Sequence, residues 1–248
     1  MHRDELSSYL DRLLEPERFR DYCPNGLQVE GRAQVKNIVS GVSASLAFLQ
    51  AAHAAGADAV LVHHGYFWKS DDARITGLRR SRIAFLIEHD MNLYAYHLPL
   101  DAHRELGNNA QLARRLGFEE EGRAGEQDLL CYGRLARPCT LDEFALRVEQ
   151  SLSRTPLVIG AGTKQIRRVA WCTGGAQGYF DVAVGLGVDA YVTGEISEQQ
   201  VHIARESGIA FIAAGHHATE LYGVQAVGGH LAAELALTHR FIDIQNPV

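Results

Sequence analysis

Residues 56–64 read GADAVLVHH and residues 187–195 read GVDAYVTGE. Each stretch opens on a glycine of the sort that closes a helix in a left-handed cap, then runs through a short apolar segment, the pattern of a helix passing into a buried strand. Aligning Gly56-Ala57-Asp58-Ala59 with Gly187-Val188-Asp189-Ala190 sets His63-His64 opposite Gly194-Glu195. Upstream, 35–42 and 169–173 read as strands and 44–55 and 178–186 as helices; downstream, 93–96 and 209–214 read as further strands. A βαβαβ unit is therefore expected twice, as an internal duplication. Strands joined through helices pair in parallel, so the expected fold class is α/β, with two duplicated, intertwined units whose mainly parallel sheets are covered by helices. The polar stretch 119–126 marks the expected boundary, giving a first repeat over 1–122 and a second over 123–248.

Ligand sites in parallel sheets lie beyond the carboxyl ends of the strands, which is where the histidines of this chain fall. The doublet His63-His64 ends one strand, and the next strand of each repeat runs into a His-x-x-x-carboxylate cluster, His97…Asp101 and His216…Glu220. Taken singly, each cluster also suits an ordinary turn. At equivalent strand ends they together supply four imidazoles and two carboxylates, a donor set for a dinuclear metal site between the two units. Neutral imidazole and carboxylate suit Zn, Fe, Mn or Ni, and the lack of a nearby thiolate argues against a purely structural zinc. Neighbouring side chains on a strand point to opposite faces, so His63 and His64 are expected to straddle two ions at the strand end. A helix beginning near Thr219 brings His216 and Glu220 onto one face. Holding two cations roughly 3.5–4 Å apart takes a bridging carboxylate, a part open to Glu220 or Asp101; the pair of metals then activates a shared water and polarises the electrophile. Where it is not a full ligand, His97 is the candidate for proton transfer.

Other features allow two readings each. Thr173-Gly174-Gly175-Ala176-Gln177-Gly178 follows a strand and opens a helix, so it is either an anion cradle or a tight turn, and it matches neither common phosphate-loop pattern. Tyr66-Phe67-Trp68 either walls a substrate pocket or packs the core or a subunit interface. His103 and His202 are candidate proton carriers or outer partners, whereas His2, His53, His89, His230 and His239 are expected on helix surfaces or ends. Thr140 with Glu143 is expected to cap a helix.

A net charge of −6 argues against general attraction to phosphate backbones, so a nucleic-acid partner is not expected. The basic run from Arg74 to Arg82 is read as a solvated helix face. Four scattered cysteines form neither a zinc ribbon nor a disulfide framework, which suits reduced thiols in the cytoplasm. Leu6, Tyr9, Leu10, Leu13 and Leu14 have the spacing of an amphipathic helix, not of a signal peptide, and no apolar run reaches the roughly 18 residues that would span a bilayer.

Five stretches carry a family resemblance: 21–31 (DYCPNGLQVEG), 63–68 (HHGYFW), 97–101 (HLPLD), 193–195 (TGE) and 214–220 (AGHHATE). Spread over nearly the whole chain, they resemble the GTP cyclohydrolase I type 2 family, also described as Nif-three-like, and in particular its short bacterial members. The resemblance implies a dinuclear metal site with His63, His64, Asp101, His216 and Glu220 as ligands, Glu220 touching both ions and His97 close by. It also implies a ring-shaped homohexamer. Gly65 stands where many members carry proline and His217 where an aromatic is frequent; neither change removes a ligand, but both alter the pocket wall. The expected function is a dinuclear metal-dependent hydrolase acting on a nucleotide-like or heterocyclic small molecule. The alternative is a non-catalytic, metal-binding hexameric assembly or regulatory protein with a protein or nucleic-acid partner.

Overall fold

Gly56 and Gly187 both adopt left-handed backbone, with φ of +78° and +64°, in a computed structural model that describes residues 1–248. Glycine enters that region without the Cβ clash other residues meet, so each ends its helix and turns the chain into a strand. The chain divides into two compact units, Met1–Gly107 with Gly223–Gln245, and Asn108–Tyr222 with Asn246–Val248.

The first unit holds α1 (Arg3–Leu14), β1 (Gly26–Val29), β2 (Asn37–Ser43), α2 (Leu46–Ala54), β3 (Ala59–His64), α3 (Gly77–Glu88), β4 (Asn92–Ala95) and the short α4 (Leu98–Ala102). The second holds α5 (Asn108–Leu116), β5 (Phe118–Ala124), β6 (Leu130–Thr140), α6 (Leu141–Leu152), β7 (Leu157–Ile159), β8 (Gln165–Trp171), α7 (Phe180–Gly185), β9 (Ala190–Thr193), α8 (Glu198–Ser207) and β10 (Ala210–Ala213). Helix α9 (His216–Leu235) starts in the second unit and from Gly223 belongs to the first, which also takes β11 (Thr238–Phe241).

Each unit is built on the expected parallel core. In the first, the order is β1-β4-β3-β2-β11, with β2, β3, β4 and β11 parallel and only β1 antiparallel. In the second, the order is β5-β6-β8-β9-β10-β7; β8, β9 and β10 are parallel, but β5, β6 and β7 add antiparallel pairs, so this sheet is mixed. The stretch expected to be a polar boundary is largely β5, an edge strand. Its charged residues suit an edge, where charge discourages pairing with another chain.

Alternation along the first sheet sorts its side chains into two layers. Val39, Val60, Val62 and Leu93 pack under α2 and α3 with Phe48, Leu49 and Leu86. Ile38, Leu61, Tyr94 and Tyr96 pack on the other face with Leu6, Leu10 and Leu14 of α1 and Val224, Val227 and Leu231 of α9. In the second unit Trp171, Val169, Val192 and Ile212 meet Phe144 and Val148 of α6, whose start carries the expected Thr140–Glu143 capping box.

His239, expected at a helix surface or end, lies instead on β11, half-buried, with Nε2 2.8 Å from the Ser40 hydroxyl. Gly228 of α9 makes room for it, since a Cβ there would stand 2.1 Å from Nε2. Burial pushes the His239 pKa below its ordinary 6.5. A lowered folded pKa means that the stability it contributes is intact above the unfolded value and is lost as pH falls through the folded one. The stability difference between wild type and His239→Gln is therefore expected to shrink from about pH 6.5 downward, with a limiting slope of about 1.4 kcal/mol per pH unit. Urea unfolding at stepped pH measures it, and a difference flat between about pH 7 and 5 refutes it.

Candidate metal centre

In the first unit, β3 delivers His63 and His64 at its carboxyl end, and β4 leads through Tyr96 to His97 at the start of α4. Pro99 suits the first turn of that helix, where its missing N–H is not needed, and the turn carries Asp101 back over its own start, with Asp101 N–H donating to His97 O at 3.2 Å. The ring centroids of His63 and His64 lie 4.6 Å apart, those of His63 and His97 5.0 Å, and those of His64 and His97 5.9 Å. The three rings can offer nitrogens that all lie within 4.8 Å of one another. Asp101 Oδ1 stands 3.4 Å from His63 Nε2.

The Nδ1 atom of every ring is engaged. His63 Nδ1 lies 3.0 Å from Tyr96 O, His64 Nδ1 3.0 Å from Ser43 Oγ, and His97 Nδ1 2.7 Å from Asp21 Oδ1. Asp21 also accepts N–H groups from Tyr22, Leu98 and the Asn25 side chain, while Asn25 Oδ1 takes the backbone N–H of His97. Burial would raise the Asp21 pKa, but the hydrogen bond and charge of His97, with the Asn25 and Leu98 bonds, hold it below the usual value. The neighbouring Cys23 lies close enough to Asp21 and His97 to offer a sulfur donor beside them, contrary to the expectation that no thiolate is near; its pKa is pushed up to about 12 by burial and then by the Asp21 charge, so it stays protonated near neutral pH unless an ion binds it.

In the second unit, α9 begins at His216 itself, so His216 and Glu220 share a face one turn apart, with Nε2 3.1 Å from Oε2. His216 Nδ1 is 2.6 Å from Glu195 Oε1, just beyond β9. Burial alone would lower the His216 pKa; the hydrogen bonds and charges of Glu220 and Glu195 outweigh it and carry the value to about 9. Glu220 is only 2% exposed. An ionised carboxylate so placed needs a cation beside it, which is the imidazolium here and a metal ion in a loaded site.

The start of the Thr173–Gly178 stretch packs against this carboxylate. Thr173 N–H donates to Asn109 Oδ1 and Gly174 N–H to Thr219 Oγ1, so neither amide points at a ligand, and the helix that follows is a six-residue one. Gly174 has φ +69°, and a Cβ on it would lie 2.0 Å from Glu220 Oε1. Gly194 allows a similar approach, since its Cβ would meet His216 Cα at 2.6 Å.

Within each unit, then, the expected donors meet: His63, His64, His97 and Asp101 in the first, His216 and Glu220 in the second. Two ligands about 2.1 Å from one tetrahedral ion stand roughly 3.4 Å apart, and the two imidazole–carboxylate separations match that edge or fall slightly inside it. The nitrogen and oxygen donors thus fit a divalent transition metal. His103 and His202 are not brought in; His103 Nδ1 accepts from Glu105 and Leu106 N–H, and His202 pairs with Glu198 on the surface. Trp68 sits beside the rings, 5.0 Å from His97 and 6.0 Å from His64, turned there by Phe67 in left-handed backbone. Asp21 and Glu195 were not among the expected site residues, although Glu195 falls opposite His64 in the repeat alignment.

Residues 1–247 match the family described as Duf34/NIF3 (NGG1p interacting factor 3). A Pseudomonas aeruginosa protein named GTP cyclohydrolase 1 type 2 homolog is 58% identical over 240 residues, covering 96% of this chain and 95% of its own. An Allochromatium vinosum protein of the same name is 54% identical, covering 98% and 96%. Among solved structures, one described as protein ybgI, of unknown function, superposes over all of both chains with a TM-score of 0.96 at 49% identity. A Thermus thermophilus protein does so with a TM-score of 0.91 at 35% identity, again over all of both chains. From its first residue almost to its last, the chain belongs to the Duf34/NIF3 family.

Proposed function

We propose that this chain is a dinuclear metal-dependent hydrolase acting on a nucleotide-like or heterocyclic small molecule. Its ligands are His63, His64, Asp101, His216 and Glu220, with His97 as a further donor and proton carrier, and the family resemblance supports bringing the two donor sets to one pair of ions. The observation that carries the reading is that all four imidazoles have Nδ1 engaged, by Tyr96, Ser43, Asp21 and Glu195. A histidine held in this way by its outer nitrogen is oriented and tautomerically set to coordinate through Nε2. Divalent ions bound there would supply Lewis acidity and make water available as a nucleophile near neutral pH. Buried Glu220 and Asp101 compensate positive charge, His97, anchored at Nδ1 by Asp21, carries a proton at Nε2 only when that nitrogen is not bound to an ion, and Trp68 excludes water from one side of the rings. The relatives' name, GTP cyclohydrolase 1 type 2 homolog, supports the substrate class.

The same proposal includes a ring-shaped homohexamer and a cytoplasmic location. All four cysteines are buried thiols, in keeping with a reducing compartment, and no helix is long and apolar enough to cross a membrane. Light scattering is expected to give six times the 27.3 kDa chain mass. Elemental analysis of protein expressed in metal-replete medium is expected to find about two transition-metal ions per chain. Finding none, with all six side chains intact, overturns the reading.

A further inference from the structure

Two carboxylates outside the proposed ligand set make the same contact in separate units. Asp21 Oδ1 meets His97 Nδ1 at 2.7 Å, and Glu195 Oε1 meets His216 Nδ1 at 2.6 Å. His63 and His64, by contrast, use neutral acceptors, a backbone carbonyl and a hydroxyl. We infer that Asp21 and Glu195 are positioning residues, each taking the Nδ1–H of one imidazole and thereby presenting Nε2 of His97 and of His216 to the metal centre.

Chemistry favours this over a surface ion pair. An imidazole has two nitrogens, and a carboxylate accepting at one fixes the ring's rotation and leaves the other as the donor; the partial negative charge passed to the ring makes that nitrogen more basic. Asp21 is itself immobilised by the Tyr22, Leu98 and Asn25 N–H groups, as a part that must hold another in place requires. Glu195 is held more loosely, by the Gln177 side-chain amide at 3.4 Å, and is about a third exposed. Its pair has room around it, since even a Cβ on Gly175 would lie at ordinary contact distances, 3.5 Å from His216 Cε1 and 3.7 Å from the Glu195 carboxyl carbon. The two are therefore unequal, with Asp21 built into its loop and Glu195 replaceable without disturbing the fold.

That inequality selects the test, which rests on the proposed metal function. Full-length protein is stripped of metal and titrated with Co²⁺ alone, reading affinity by chelator competition and coordination by the visible absorption band. Glu195→Ala is expected to weaken Co²⁺ binding by about 10–100-fold and to shift the band, with the melting temperature of the metal-free protein lowered by no more than a few degrees. Glu195→Gln keeps an oxygen able to accept the same Nδ1–H and is expected to recover binding to within several-fold of wild type. Asp21→Ala is expected to weaken Co²⁺ binding by about 10–100-fold as well, and a folded Asp21→Ala protein with wild-type affinity and spectrum overturns the assignment of Asp21. Glu195→Ala with wild-type affinity and spectrum overturns this inference alone, as does a Gln variant no better than Ala. A wild-type chain that takes up no Co²⁺ overturns both the inference and the function beneath it.

Discussion

Glu220→Gln is expected to strip the protein of tightly held divalent metal while leaving it folded. The amide matches the carboxylate in volume, so the buried site at the start of α9 keeps its packing. What changes is the donor: one oxygen becomes an NH₂ group, which cannot ligate, and the negative charge that offsets a cation is gone. Loss of an outer partner costs a metal site about 10–100-fold in affinity, so loss of a carboxylate proposed as a direct ligand is expected to exceed about 100-fold. Turnover on any substrate found should fall with it, while the melting temperature of the metal-free protein stays within a few degrees and the proposed oligomer persists. This separates the two functions considered from sequence. Were the metal there to stabilise an assembly and not to catalyse, the same substitution would lower the melting temperature or break the oligomer, with no activity to lose. Chelator competition, thermal melting and light scattering on one preparation give the answer.

Gly174→Ala is expected to do comparable damage from a residue that ligates nothing. Its φ of +69° lies where an L side chain costs about 1–2 kcal/mol, and the new methyl would stand 2.0 Å from Glu220 Oε1 and 3.2 Å from His216 Nε2. Such overpacking adds about 1–3 kcal/mol unless something shifts. The backbone on one side is tied by Gly174 N–H to Thr219 and by its carbonyl to Gly194 N–H and the Thr193 hydroxyl, so Glu220 is the part that yields. The expected result is a melting temperature lowered by roughly 5–15 °C and metal affinity reduced at least tenfold. Gly178→Ala, where an added Cβ meets nothing within 4 Å, is the control expected to change neither. A Gly174→Ala protein with full metal content and an unmoved melting temperature would mean that the close approach is not needed.

The parallel cores were legible because their signals are local: an apolar run of four to six residues, a glycine cap before it, and a histidine or carboxylate after it. The same locality let His216 and Glu220 be placed one helical turn apart. Long-range pairing was not legible. Residues 238–241 pair with 37–40 across nearly the whole chain, and nothing in either stretch announces the other. The strand over 118–124 was hidden by its own edge position, since charged residues are what an unpaired edge needs and also what a linker has. Asp21 and Glu195 escaped notice for a related reason. A carboxylate that serves a histidine 76 residues away can be assigned only once the fold has put them together. The reading of Gly174 turned on the same point, because its meaning lies in the space it leaves for Glu220.

The chain has two tryptophans, and their surroundings differ. Trp171 is sealed in the second unit with its indole N–H on Asn109 O, whereas Trp68 lies 5.0 Å from the His97 ring. Light emitted by Trp68 should be dimmed by any paramagnetic ion that reaches those imidazoles. The protein thus carries its own optical gauge of site occupancy and needs no attached dye.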